Sequence, residues 1–219
     1  MNKLVYKSKN IWENSDEKAK KEIMDFSEGY KEFLSAGVTE RLCVKETVKI
    51  ADKAGFKSLE SFKSLKAGDC VYMVNRGKQV MFAKIGKKPI SDGVAIIAAH
   101  IDSPRLDLKP IPVTEDSGIA YFKTHYYGGI KKYQWTSIPL ALSGVVMTKK
   151  GPVEIRIDGE DFCFTVTDLL PHLAASQMTK PLKEAIEGEN LSVVIGSIPS
   201  SKEEEGTKEA VLEILNKMY

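Results

Sequence analysis

The sequence predicts an α/β protein in two parts: the N-terminal part of an open α/β sheet domain over residues 1–110, and a β-rich domain over 111–199. A connector and helix at 200–219 follow. Three observations carry this expectation. Apolar residues recur at helical spacing through the first 55 residues, an unalternating apolar run occupies 94–99, and several short β-prone runs separated by turn residues fill 106–198.

From Asn10 to about Ala36 the chain is rich in Lys and Glu, with Ile11, Ile23, Phe26, Tyr30, Phe33 and Leu34 near helical spacing, which reads as one or two surface helices. Thr39 is a candidate N-cap for a second helix carrying Leu42, Val44, Val48 and Ile50, and Gly55 supplies its stop. Cys70-Val-Tyr-Met-Val and Gln79-Val-Met-Phe-Ala-Lys-Ile85 flank Asn75-Arg-Gly-Lys78, a hairpin pattern. After Pro89-Ile-Ser-Asp-Gly93, the run Val94-Ala-Ile-Ile-Ala-Ala99 has the character of a central strand covered on both faces.

The remainder reads as short strands at Leu106-Asp-Leu-Lys, Gly118-Ile-Ala-Tyr-Phe, Leu140 to Met147, Val153 to Ile157, Phe162 to Val166 and Leu191 to Ile195. A helical stretch lies between the last two, from Leu169 to about Ile186. The change from mixed to mostly β patterning puts a domain boundary near Pro110. Residues 200–206, with three consecutive glutamates, read as an exposed connector, and an amphipathic helix runs from about Thr207.

Composition narrows the functional classes. The 219 residues are 42% hydrophobic and 28% charged, which excludes wholesale disorder and collagen-like repeats. A net charge of +2 gives no reason to expect nucleic acid or an anionic membrane as partner. Cys43, Cys70 and Cys163 are odd in number and far apart, so they form no zinc-binding CxxC and fit a reducing cytoplasm. The opening Met1-Asn-Lys-Leu-Val-Tyr-Lys lacks the apolar core of a signal peptide, and no apolar run is long enough to span a bilayer.

Chemistry is concentrated in three histidines. His100 directly follows the apolar run and stands two residues before Asp102, and ligands gather at the carboxyl ends of strands in open α/β sheets. A neutral imidazole suits zinc, and a carboxylate two residues on lies on the same side of an extended segment. The same pattern also describes a core or capping histidine. His125, in Lys123-Thr-His-Tyr-Tyr127, reads as a packing or hydrogen-bonding residue ahead of a substrate contact. Arg105 is expected to pair with Asp102 or Asp107, and Trp135 with its neighbouring tyrosines to lie in a core or subunit interface. No phosphate-binding glycine motif and no nucleophile triad can be assembled.

Longer stretches carry more. Ala98-Ala-His-Ile-Asp-Ser-Pro-Arg-Leu-Asp-Leu-Lys-Pro110 resembles the first metal-ligand segment of the aspartyl aminopeptidase family, dizinc exopeptidases of the vacuolar aminopeptidase I type. Tyr126-Tyr-Gly-Gly-Ile-Lys-Lys-Tyr-Gln-Trp135, Thr165-Val-Thr-Asp-Leu-Leu-Pro-His-Leu-Ala174 and Ser192-Val-Val-Ile-Gly-Ser-Ile-Pro199 resemble later landmarks of its bacterial members, in the same order. The resemblance implies a zinc-exopeptidase-like sheet domain with an inserted dimerisation domain. It also implies His100 as a zinc ligand, Asp102 as the carboxylate supporting the metal site, and His172 as a substrate-holding residue that reaches a neighbouring subunit's active site. The implied cofactor is a pair of Zn²⁺ ions, with cobalt or manganese also accepted by such ligands. The implied partners are a peptide substrate and sister subunits forming a dimer that builds towards a larger shell, with no nucleic acid and no membrane.

The chain matches the N-terminal half of that family only. The implied remaining ligands and the general base are absent from it, and Glu203-Glu-Glu205 reads as a solvated charge run rather than a substitute. Asp107 and Asp116 have no second histidine near them in sequence to complete a site. The expectation is a metalloaminopeptidase half, inactive alone and cytoplasmic. The alternative is a non-catalytic assembly or regulatory subunit that keeps the family's dimerisation domain.

Overall fold

The computed structural model describes residues 6–159, 162–201 and 206–219. The chain divides into two compact units, Met1–Asp102 and Ser103–Tyr219.

In the first unit, α1 (Ile11–Asn14) and α2 (Glu17–Ala36) start where short polar side chains cap them. Asn10 accepts from the Trp12 amide, and Asp16 accepts from the Ala19 amide at 2.7 Å. Thr39 caps α3 (Glu40–Lys53) by accepting from Leu42 N–H, and Gly55 follows the helix at φ +85°, as the sequence predicts. Helix α3 buries Leu42, Cys43, Val44 and Ala51. The adjoining sheet has the order β1-β2-β3, from β1 (Lys57–Ser58), β2 (Cys70–Asn75) and β3 (Gln79–Lys84), and buries Val71. Arg76 and Gly77 turn the β2–β3 hairpin with φ of 52° and 66°. Positive φ at both central residues is the type I′ geometry that matches the twist of paired strands, and Arg41 secures the turn by donating to the Arg76 carbonyl at 3.1 Å.

The expected central strand at 94–99 does not form. These residues have no regular secondary structure and are exposed, with Ile96 at 80% and Ile97 at 99%. The physical reason is that a buried strand needs a ladder on its edges and cover on its faces. Among the described residues nothing pairs with it.

The second unit is β-rich. A four-stranded antiparallel sheet has the order β4-β5-β9-β8, from β4 (Arg105–Asp116), β5 (Ile119–Tyr127), β8 (Thr165–Val166) and β9 (Val193–Gly196). A separate hairpin joins β6 (Leu142–Thr148) to β7 (Gly151–Ile157). The core is Phe122, Ile157, Phe164, Val166, Ile186, Leu191 and Val193, so the hairpin joins the sheet's core through Ile157. The Thr124 hydroxyl, buried in β5, donates to the Leu191 carbonyl and ties the loop before β9 to the sheet.

Two boundaries differ from expectation. The change near Pro110 falls inside β4, and the division comes earlier, between Asp102 and Ser103. The β4–β5 register jumps between Leu108, opposite Thr124, and Val113, opposite Phe122. Pro110 and Pro112 have no N–H to give a ladder, so they mark an irregularity in one strand rather than the end of a domain. The helical stretch expected over 169–186 shortens to single turns, α4 (Ala175–Met178) and α5 (Leu182–Ala185), separated by Pro181.

Helix α6 (Thr207–Met218) returns to this sheet. Thr207, 1% exposed, donates its hydroxyl to the Gly118 carbonyl at 2.7 Å, and Glu115 accepts from the Lys208 amide at 2.8 Å. Gly196 lets the helix approach closely, since a Cβ there would stand 2.8 Å from a Val211 methyl. Residues 203–205, read as a charge run, lie outside the described residues.

Candidate functional site

His100 ends the exposed 94–99 run, and Asp102 closes the first unit. The local backbone brings the two side chains together. His100 Nδ1 lies 3.1 Å from the Asp102 carbonyl oxygen and 3.2 Å from Asp102 Oδ1. Both are acceptors, so a neutral imidazole carries its proton on Nδ1 here and leaves the Nε2 lone pair free. The His100 side chain is 84% exposed and that of Asp102 39% exposed, which leaves Nε2 open to an incoming group.

This arrangement fits one metal ligand with its supporting carboxylate, since metal-binding histidines commonly donate their second N–H to a carboxylate or carbonyl that fixes the ring. One imidazole is not a metal centre. Catalytic zinc takes about three protein ligands and an open position. Among the described residues no three His, Cys, Asp or Glu side chains converge to hold an ion.

The other sequence candidates lie in the second unit. His172 is exposed in the turn before α4. Around it the chain presents Leu169, Leu170, Leu173, Met178 and Leu182, all more than half exposed. Sequence reading assigned this stretch to a helix and so missed its apolar surface. The signal was available in the Leu-Leu and Pro-His-Leu steps, whose apolar residues follow no helical stripe.

His125 is exposed on β5 and stacks on Tyr126, with ring centroids 5.6 Å apart. Arg105 donates to Asp107 at 2.7 Å and places its guanidinium 4.1 Å from the Tyr127 ring centre, an ion pair backed by a cation–π contact. A cleft of about 390 Å³ beside these residues is lined by Tyr126, Ile130, Lys132, Tyr133, Leu182 and Lys183. Tyr133 and Trp135 pack on the core, as expected for the aromatic stretch. Nearby, Lys109 hydrogen-bonds Glu189 at 2.7 Å and holds its carboxyl below the usual carboxylate range; Lys180 does the same to Glu187 at 3.0 Å. Cys43 is buried, Cys70 half-buried and Cys163 exposed, all as free thiols. No helix among the described residues is long and apolar enough to cross a membrane.

Comparison with known proteins supplies the family. The model of the aminopeptidase I zinc metalloproteases (M18) matches residues 33–219. A probable M18 family aminopeptidase 1 of Clostridium acetobutylicum is 44% identical over the whole chain, which covers 49% of that protein. The crystal structure of an M18 family aminopeptidase from Thermotoga maritima superposes with a TM-score of 0.90 at 46% identity, covering 98% of this chain and 47% of that one. A yeast aminopeptidase 1 solved as a dodecamer shares the fold, at 21% identity over 81% of this chain and 39% of its own, with a TM-score of 0.59. The chain thus spans about half the length of the bacterial relatives it matches. The match over residues 33–219 includes the His100–Asp102 pair and the whole second unit, and with it the chain belongs to the M18 aminopeptidase I family of zinc metalloproteases.

Proposed function

We propose that the chain is the N-terminal half of a metalloaminopeptidase that removes N-terminal residues from peptides. The observation that carries this reading is the exposed His100 ring, whose Nδ1 is tied to Asp102. His100 would hold a zinc ion, one of two in the complete site, and Asp102 would orient the ring and raise its basicity. Bound zinc supplies a Lewis acid that polarises the scissile carbonyl and lowers the pKa of water. His172 would hold substrate in the active site of a neighbouring subunit.

Association of the chain with itself is part of the proposal. The apolar surface of Leu169, Leu170, Leu173, Met178 and Leu182 around His172 is what a subunit contact requires, and the yeast dodecamer gives a precedent for assembly on this fold. The same surface favours a second reading, a non-catalytic assembly or regulatory subunit. Light scattering after size exclusion tests the association common to both readings. A defined dimer supports it, and a monomer that aggregates counts against it.

With one imidazole in place of about three ligands, the chain alone is expected to be inactive. Purified protein is assayed with zinc, manganese or cobalt on aminoacyl-4-nitroanilides and on aspartyl and glutamyl peptides. Metal-dependent turnover above background, lost in His100→Ala, would overturn the half-enzyme reading.

A further inference from the structure

The cleft beside Tyr126 has a lining that the chemistry at His100 does not use. Its walls are aromatic and apolar, from Tyr126, Ile130, Tyr133 and Leu182, and its rim carries Lys131, Lys132 and Lys183. No acidic side chain lines this cleft among the described residues. Lys183 meets Glu184 at 3.4 Å with both side chains more than half exposed, so water screens that pair and leaves most of the positive potential in place. Lys132 stands 5.8 Å from the centre of the Tyr126 ring, which holds its ammonium at the cleft wall. Gly188 packs on the same ring. A Cβ there would lie 2.8 Å from Tyr126 Cε1, so this wall keeps its shape because position 188 has no side chain.

A second cleft, of about 320 Å³, shares Lys132 with the first and is polar, lined also by Lys180, Glu184, Glu187 and Gly188. Lys180 bonds Glu187 at 3.0 Å. A carboxylate has more acceptor sites than one lysine fills, so this cleft still offers acceptors.

We propose that the two clefts together bind the C-terminal end of a peptide whose last residue is large and apolar. The last side chain lies against Tyr126 and Tyr133, the terminal carboxylate meets Lys131 and Lys183, and the preceding amide N–H groups run past Glu184 and Glu187. Charge complementarity selects this occupant. A free amino acid or a peptide's N-terminus brings an ammonium that three lysines repel, and an inorganic anion gains nothing from the aromatic wall. The order of charges also sets the direction, since a terminal carboxylate in the second cleft would face two glutamates. Leu182 is shared with the apolar surface around His172, and the other lining residues are not. The inference goes beyond the peptidase reading, because binding is measured with no metal present and its failure is a separate result.

Acetyl-Ala-Ala-Phe is titrated into the purified 219-residue chain by isothermal titration calorimetry, with the methyl signals of Ile130 and Leu182 followed by NMR. Saturable binding with a Kd below about 1 mM, and shifts at both methyls, is the expected result. Amidating the peptide's C-terminus is expected to weaken binding about 10-fold, the value of one charge-assisted hydrogen bond. Lys131→Glu is expected to do the same, and since Lys131 is exposed its circular dichroism should match the parent's. Lys149→Glu makes the same change of charge in the β6–β7 turn and is expected to alter affinity less than about 2-fold. Gly188→Ala changes no charge but displaces the Tyr126 ring, and is expected to weaken binding as well.

No saturation below about 1 mM overturns the proposal, as does equal binding of the amidated peptide or of free phenylalanine. An equal loss in Lys131→Glu and Lys149→Glu overturns it in favour of general attraction to a basic surface. Acetyl-phenylalanine binding as tightly as the tripeptide overturns the assignment to a peptide and gives the first cleft to small aromatic acids.

Discussion

Thr207→Val tests the anchoring of α6 to the second unit. The two side chains are close in shape, and the exchange deletes the hydroxyl that reaches the Gly118 carbonyl at 2.7 Å. Thr207 is 1% exposed, but Gly118 lies exposed in the β4–β5 turn, so water can take the place of the lost donor at its carbonyl. The expected cost is therefore the net value of one hydrogen bond, about 0.5–1.5 kcal/mol. For a unit of about 120 residues, an unfolding entropy near 2.1 cal/mol/K per residue makes each kcal/mol worth roughly 4 °C. The expected loss is thus about 2–6 °C in the Tm of the second unit, measured by scanning calorimetry. Thr207→Ser keeps the hydroxyl and is expected to lose less than Thr207→Val. A shift below about 1 °C for Thr207→Val, or an equal loss in Thr207→Ser, would refute the claim that this hydrogen bond fastens the helix.

Two further outcomes are expected. Gly196→Ala would press a methyl to 2.8 Å from Val211, and the resulting displacement of α6 should cost about 1–3 kcal/mol, read from urea denaturation. Glu189 has a folded pKa held below its ordinary value of 4.5 by the hydrogen bond and charge of Lys109. Its contribution is therefore fully present above 4.5 and lost as pH falls through the lowered folded value. Carboxyl NMR should show titration below 4.5, with Lys109→Gln returning it towards the ordinary value, and an unchanged midpoint in that variant would exclude the pair as the cause.

Local signals were legible in the sequence wherever local physics decides the outcome. The Thr39 cap, the stop at Gly55, the Arg76-Gly77 turn and the start of α6 at Thr207 each appear where the sequence pattern places them. His100 and Asp102 meet because, two residues apart, each lies within reach of the other through the intervening Ile101. The errors lie where distant partners decide. The run at 94–99 reads as a buried strand from its composition, but a strand is a property of its neighbours, and composition cannot supply them. The prolines at 110 and 112 look like punctuation between domains and act within one strand. The remaining metal ligands cannot be read from these residues at all, since the three histidines and two nearby aspartates form no cluster.

The irregularity in β4 has a consequence for how this family can vary. Leu106 and Val113 stand seven positions apart, an odd number that in an uninterrupted strand would turn them to opposite sides. Both nevertheless pack on the same core, because the extra residues between Leu108 and Val113 reset the alternation. The stretch at 109–112 thereby acts as a length buffer. A residue gained or lost there can be absorbed before the inward-facing set resumes at Val113, whereas the same change at 105–108 or 113–116 would turn the flanking side chains inside out. Relatives that differ in length along this strand are expected to place the difference beside the two prolines.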